Sequence, residues 1–314
     1  MEGTEAVDGE VSRKGWIDFH VHIFRMSGLA SPVVRDLIEA SNPQMGHGTG
    51  AEPPPGVGDE IVPFETMLAQ LDAAGVERAV VLAQETPGIG INVPSDYVLE
   101  YCTQTDRLVP FVSLNIQTEH DYMGKLLSWA ARGARGLKLY PSYQFIYPND
   151  RRFYRCYELA EELGWPVVFH TGSSVFANSR LKYALPIHLD DVAADFPSLP
   201  VVLAHCGRPA WTAEATILAR THDKVYLEIS GIPPDRLLEY LPDLPRISDK
   251  VIFGSDWPST PAIGRTVQGI LELGLSPEVL ANLFVDTASS LLGEVAAGGS
   301  SPLAGQGHSP AARA

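Results

Sequence analysis

The sequence predicts an α/β fold, a single (β/α)8 barrel of the TIM type, on three observations. The chain has 314 residues, a length suited to one barrel of roughly 250 residues with insertions. Eight short apolar runs alternate with segments of helical spacing. Polar residues close several of these runs at the same end, where a barrel carries its active site.

The eight runs are 16–22, 79–83, 108–114, 136–140, 166–170, 200–205, 225–229 and 250–254. Runs such as AVVLA, PVVFH, PVVLAH and KVIFG are almost unbroken in Val, Ile, Leu and Phe. That pattern belongs to parallel strands covered on both faces. Between them, 64–75 places Met67, Leu68 and Leu71 on one helical face and ends at Gly75, a C-cap residue. Segment 153–164 also ends on a glycine, and 213–221, 235–241 and 265–273 follow the same logic. The last helix is expected over 276–292, with Ser276 as N-cap and Pro277 at its first position. An open doubly wound sheet is the rival. It uses fewer strands, and no Gly-x-Gly-x-x-Gly follows any strand here.

The barrel domain is expected over 15–294, with a flexible arm at 1–14. A tail at 295–314, rich in Gly, Ala, Ser and Pro, is expected to be disordered. A long insertion, 24–63, follows the first strand and is dense in Gly and Pro from 42 to 58. Its position on the active face makes it either a lid or a variable surface loop.

Hydrophobic residues make up 45% of the chain and charged residues 19%, enough for a sizeable core. The net charge of -15 disfavours nucleic acid and anionic membranes as partners, while leaving room for a small-molecule substrate in a local cationic pocket. Three scattered cysteines give no disulfide framework or Cys-x-x-Cys metal site. With no apolar leader and no membrane-length run, a cytoplasmic enzyme is expected. A homodimer is expected on size class alone.

The strongest local feature is Asp18-Phe19-His20-Val21-His22 at the end of the first run. Alternation places Asp18, His20 and His22 on one face, directed inward, with Phe19 and Val21 against the helices. His170 ends the fifth run, His205 ends the sixth, and Asp256 follows the eighth in Gly-Ser-Asp-Trp-Pro. Imidazoles and a carboxylate converging from four strand ends are costly to bury without a cation or mutual pairing. Asp18 lies deeper and would orient an imidazole or a neighbouring strand.

These motifs resemble the amidohydrolase superfamily. They are similar to the amidohydrolase-related branch that includes aminocarboxymuconate-semialdehyde decarboxylase, from about Trp16 to Gly293. One departure is Asp286-Thr287-Ala288 in the last helix, where such chains often carry Asn-Ala; it puts the packing of that helix in question. The resemblance implies one divalent metal, zinc with manganese as the alternative, on His20, His22, His170 and Asp256. Asp256 would also take a proton from water, and His205 would be a further ligand or an acid/base group. Zinc lowers the pKa of a bound water to about 7, so such a site works at neutral pH.

Lys138 is placed inward by parity in the fourth run. It has three readings: a carbamylated metal bridge, an ammonium that pairs a substrate carboxylate, or a partner of Asp18 or another buried carboxylate. Glu228 has an alternation that leaves its facing open. Arg208 would bind an anionic substrate group or form a surface salt bridge. Tyr140 and Trp257 are candidate pocket residues.

The expected reaction is hydrolysis of an amide, lactone or other C–N or C–O bond by a metal-activated water. Metal-dependent non-oxidative decarboxylation of an unsaturated or aromatic acid is the alternative. The segment His205-Cys206-Gly207-Arg208-Pro209 matches the decarboxylase pattern His-x-Gly-Gly-x-x-Pro only in part, which favours hydrolysis. A non-catalytic metal-binding barrel is the third reading. Structural zinc sites are usually closed and often use Cys, and neither holds here.

Overall fold

Eight parallel strands pair in sequence order around the molecule. They are β1 (Ile17–Val21), β2 (Arg78–Leu82), β3 (Leu108–Ser113), β4 (Leu137–Leu139), β5 (Val167–His170), β6 (Val201–Ala204), β7 (Val225–Glu228) and β8 (Val251–Ile252). The ring closes through backbone bonds from Phe19 N to Phe253 O (3.0 Å), from His22 N to Trp257 O (2.8 Å) and from Asp256 N to His20 O (2.8 Å). This computed structural model describes residues 13–24, 61–89, 91–174, 176 and 178–293. The terminal arm up to residue 12, most of the 24–63 insertion with its proposed lid, and the tail lie outside the described residues. No helix among the described residues is long and apolar enough to cross a membrane.

The expected barrel is therefore observed, and its helices follow the expected caps. Phe64–Ala74 ends at Gly75 with φ 68, and Tyr154–Leu163 ends at Gly164 with φ 66. Glycine adopts this left-handed turn without the steric cost a Cβ would bring. Ser276 accepts a bond from Val279 N and Pro277 opens the following helix. The expected final helix is not continuous: it runs as Pro277–Ala281, a π turn over Asn282–Asp286, and Thr287–Leu291. The widened turn coincides with the Asp286-Thr287-Ala288 departure and keeps Leu283 and Phe284 fully buried against the barrel. A small antiparallel hairpin, Gln84–Thr86 with Ile91–Val93, follows β2 and was not expected. Its runs of three residues are too short for periodicity to register.

The core divides into two parts. One lies between strands and helices. The other fills the lower barrel with Ile17, Phe19, Val80, Phe111, Val168 and Val202, among others. Phe19 thus packs edge-on against Phe111 (centroids 5.6 Å apart) and not against the helices as alternation alone suggested. The reason is a register shift in β1. Asp18 pairs with Ala79, but Val21 pairs with Val81, so β1 carries one extra residue. A bulge of this kind breaks strict alternation and re-aims side chains. Asp18 consequently does not share the face of His20 and His22, in correction of that expectation.

Candidate metal centre

The upper barrel is polar because strand after strand ends there on a polar side chain. His20, His22, His170 and His205 are all buried, and Lys138 and Glu228 are fully enclosed. The imidazoles, but not Lys138 and Glu228, line a cavity of about 240 Å³. His20, His22, His170, His205 and Asp256 all reach its wall. The Asp256 side chain is 13% exposed, so it stands at the opening.

Two backbone positions show what the site demands. His205 has φ 66 and Asp256 has φ 61. Non-glycine residues in this left-handed region cost about 1 kcal/mol or more, and such strain concentrates at functional sites. Gly254 has the opposite role. A Cβ there would overlap the Glu228 carboxylate and His20 Cβ, so only glycine lets these two side chains meet.

The metal-facing atoms form one compact group. His20 Nε2 and His22 Nε2 are 3.2 Å apart, and Asp256 Oδ1 is 3.5 Å from each. Zinc–ligand bonds of about 2.0–2.2 Å give ligand–ligand edges of roughly 3.3–3.6 Å in a tetrahedral site, so the spacing fits a cation. The outer nitrogens decide the matter further. His22 Nδ1 faces the Leu82 carbonyl at 3.4 Å. A carbonyl only accepts, so the ring proton is on Nδ1 and Nε2 carries a lone pair. His20 Nδ1 donates to the Glu228 carboxylate at 2.7 Å, which leaves its Nε2 with a lone pair as well. Two lone pairs facing each other at 3.2 Å repel unless a cation lies between them. Burial holds every one of these imidazoles below its ordinary pKa, His22 at about 3, with Lys138 acting in the same direction. Neutral imidazole is the form a metal requires. The donor set therefore fits a divalent metal.

A second grouping, His20, His205 and Glu228, also brings possible ligand atoms together. Its centre is already filled. Ser230 Oγ lies 3.1 Å from His20 Nδ1, 2.8 Å from His205 Nδ1 and 2.9 Å from Glu228 Oε2. We read it as the hydrogen-bonded support behind the metal-facing nitrogens. Glu228, which the strand pattern left unassigned, is thus a central supporting residue; Ser230 N donates to its other oxygen at 2.6 Å. The available signal was a carboxylate in an otherwise apolar strand, Val-Tyr-Leu-Glu-Ile.

His170 belongs to neither group of three. Its Nδ1 lies 3.1 Å from His205 Nε2, and its Nε2 lies 3.1 Å from the Tyr143 hydroxyl. His205 Nδ1 lies 2.8 Å from the Ser230 hydroxyl, whose proton goes to Glu228, and 3.1 Å from the Ser230 carbonyl, so Nδ1 is the donor and Nε2 also carries an inward lone pair.

The remaining candidates separate by position. Arg208 and Tyr140 line the cavity; Lys138 and Trp257 are fully buried and do not. Arg208 donates to the Gly231 carbonyl at 2.7 Å and to the Ser173 carbonyl at 3.4 Å, bridging the loops after β5 and β7. Gly231 has no side chain to obstruct it; a Cβ there would strike the guanidinium. Tyr140 donates its hydroxyl proton to the Ala83 carbonyl at 2.9 Å. The Lys138 ammonium has no hydrogen-bond partner, nor has Asp18 Oδ2, so the two are not paired. Burial lowers the Lys138 pKa, opposed by the Glu228 and Asp256 carboxylates. Asp18 instead accepts from His20 N (3.1 Å) and Ser255 N (2.9 Å), tying β1 to the loop after β8.

Comparison with known proteins bears on the fold and the family. A 4-sulfomuconolactone hydrolase of Rhizobium radiobacter is 27% identical over 216 residues, 62% of this chain and 66% of that enzyme, just under two thirds of its length. An uncharacterised TIM-barrel protein of Bordetella bronchiseptica superposes with a TM-score of 0.69 at 24% identity, over 88% of this chain and 98% of that one. A probable 2-pyrone-4,6-dicarboxylic acid hydrolase of Acinetobacter baumannii gives 0.62 at 16% identity, over 89% and 100%. A 5-carboxyvanillate decarboxylase of Sphingomonas paucimobilis gives 0.63 at 15% identity, over 89% and 99%. These structural likenesses show the fold, while the amidohydrolase family model matches residues 17–293, nearly the whole described barrel: the chain belongs to the amidohydrolase family.

Proposed function

We propose that the protein is a metal-dependent hydrolase that opens a lactone, or cleaves a related C–O or C–N bond, in a small anionic molecule. The facing lone pairs of His20 and His22 beside Asp256 carry this reading. His20, His22 and Asp256 would hold the metal, with His170 completing the set. The metal supplies Lewis acidity toward a carbonyl and lowers the pKa of water beside it.

The chain's own groups do the rest. Burial raises the Asp256 pKa, while Arg208 and Lys138 pull it back. The result is a carboxylate poised to accept a proton from the attacking water. His205 presents a lone pair, so it begins as an acceptor. The proton that Asp256 takes from the water would be passed on, through His205, to the leaving oxygen or nitrogen as the carbonyl bond breaks, which returns both groups to their starting forms. Arg208, held at Nε by Gly231, still has guanidinium donors for a carboxylate or sulfonate. The Rhizobium radiobacter hydrolase is named for a sulfonated lactone, which supports an anionic substrate class.

The test is a screen of zinc- and manganese-loaded protein against anionic lactones, amides and unsaturated acids. Ring opening with release of one proton and no carbon dioxide supports hydrolysis. Carbon dioxide release from an aromatic or unsaturated acid, with lactones untouched, overturns it in favour of decarboxylation.

A further inference from the structure

Three of the four imidazoles have an outer nitrogen beside a carboxylate or carbonyl oxygen: Glu228 for His20, Leu82 O for His22 and Ser230 O for His205. The Ser230 hydroxyl also touches His20 and His205, but its proton goes to Glu228. His170 differs. Its outer nitrogen has no such oxygen and faces the Tyr143 hydroxyl, which can donate or accept. Which it does decides whether His170 offers a lone pair inward at all. If the phenol donated to Nε2, the ring proton would sit on Nδ1, pointing at His205 Nε2, and the two rings would simply hydrogen-bond to each other.

Tyr143 lies in the short turn Pro141–Gln144 after β4 and is buried. Its hydroxyl donates to Ser174 Oγ at 2.9 Å. Ser174 Oγ also accepts from Phe176 N at 3.0 Å, which orients it toward the phenol. Of the two hydroxyls the phenol is the more acidic and the better donor, and its one proton goes to Ser174. Toward His170 the oxygen is then an acceptor. The ring stands 4.7 Å from the His170 ring and is backed edge-on by Phe176 at 5.6 Å, so the phenol is held in place.

We propose that Tyr143, directed by Ser174, is the positioning residue that fixes His170 as its Nε2–H tautomer and turns Nδ1 into an inward lone pair. This rests on the metal reading above. His170 then carries the tautomer opposite to that of His20, His22 and His205. Tyr143 and Ser174 both line the cavity, so this support, unlike Glu228 or Leu82 O, stands where substrate binds. Burial pushes the phenol pKa upward, which keeps the hydroxyl neutral and able to play this part.

Nitrogen-15 NMR of histidine-labelled, zinc-loaded wild-type protein reads the tautomers directly. The proposal expects Nε2–H for His170 and Nδ1–H for the other three; Nδ1–H at His170 overturns it. Zinc affinity by chelator competition is the second readout. Tyr143→Phe should lose about 10–100-fold. Ser174→Ala should fall between Tyr143→Phe and wild type, because the freed phenol can then donate to His170. Wild-type affinity in both variants overturns the proposal. A wild type that takes up no zinc instead overturns the metal reading; metal-free nitrogen-15 spectra then compare wild type with Tyr143→Phe, and an unchanged His170 tautomer population overturns the role of Tyr143.

Discussion

The site contains two pairs of facing imidazoles, built differently. His20 and His22 sit on one strand, 3.2 Å apart at Nε2, and their outer nitrogens end on Glu228 and Leu82 O, neither of which reaches the cavity. His170 and His205 sit on neighbouring strands, 3.1 Å apart, and one of them leans on Tyr143 in the cavity wall. All four rings reach the cavity. The first pair, with Asp256 beside it, has both outer nitrogens held from outside the cavity, whereas His170 is held by a residue of the cavity wall. Metal retention should therefore depend chiefly on the first pair together with His170, and turnover on His205.

His22→Ala should abolish both metal retention and activity, measured by elemental mass spectrometry and turnover. His205→Ala should keep most of the metal while kcat falls about 10²–10⁴-fold, the usual contribution of a positioned acid/base group. Equal metal loss in both variants would erase that distinction. Glu228→Gln keeps an acceptor for His20 but loses the charge, so zinc affinity should drop about 10–100-fold. Arg208→Ala should raise KM for an anionic substrate about 10-fold or more, with little change for a neutral analogue, as expected for a lost charged hydrogen bond.

The smallest effect concerns the base of the first pair. Burial raises the Asp18 pKa from 3.8 to about 7. Between those values the folded state holds a proton that the unfolded state has released, so the stability of the metal-free protein falls as pH rises from about 4 to 7. Asn keeps the oxygen that accepts from His20 N and Ser255 N. Asp18→Asn should therefore flatten this slope in denaturant melts across that range, and an unchanged slope would remove Asp18 as its source.

Much of the barrel was legible because apolar strands covered on both faces must be written as unbroken hydrophobic runs. His20, His22, His170, His205 and Asp256 were legible as polar ends to those runs. The β1 bulge was not, because one inserted residue leaves the local pattern unchanged while altering which way Phe19 and Asp18 point. Glu228 escaped because its neighbours Tyr226 and Ser230 gave no clear facing. Tyr143 escaped because it lies in a four-residue turn, where no periodicity exists. Lys138 was placed inside the barrel by parity, yet only the structure shows that it does not line the cavity, and that its ammonium has no hydrogen-bond partner and lies 5.2 Å from the centre of the Tyr140 ring.

The most direct test of the central claim is the metal content of chelator-treated, zinc-resupplied protein, wild type beside His22→Ala, by elemental mass spectrometry. One zinc per chain in the wild type and none in the variant is the predicted result. No metal in the wild type after resupply, or equal metal in both proteins, would contradict a metal centre built on His20, His22 and Asp256.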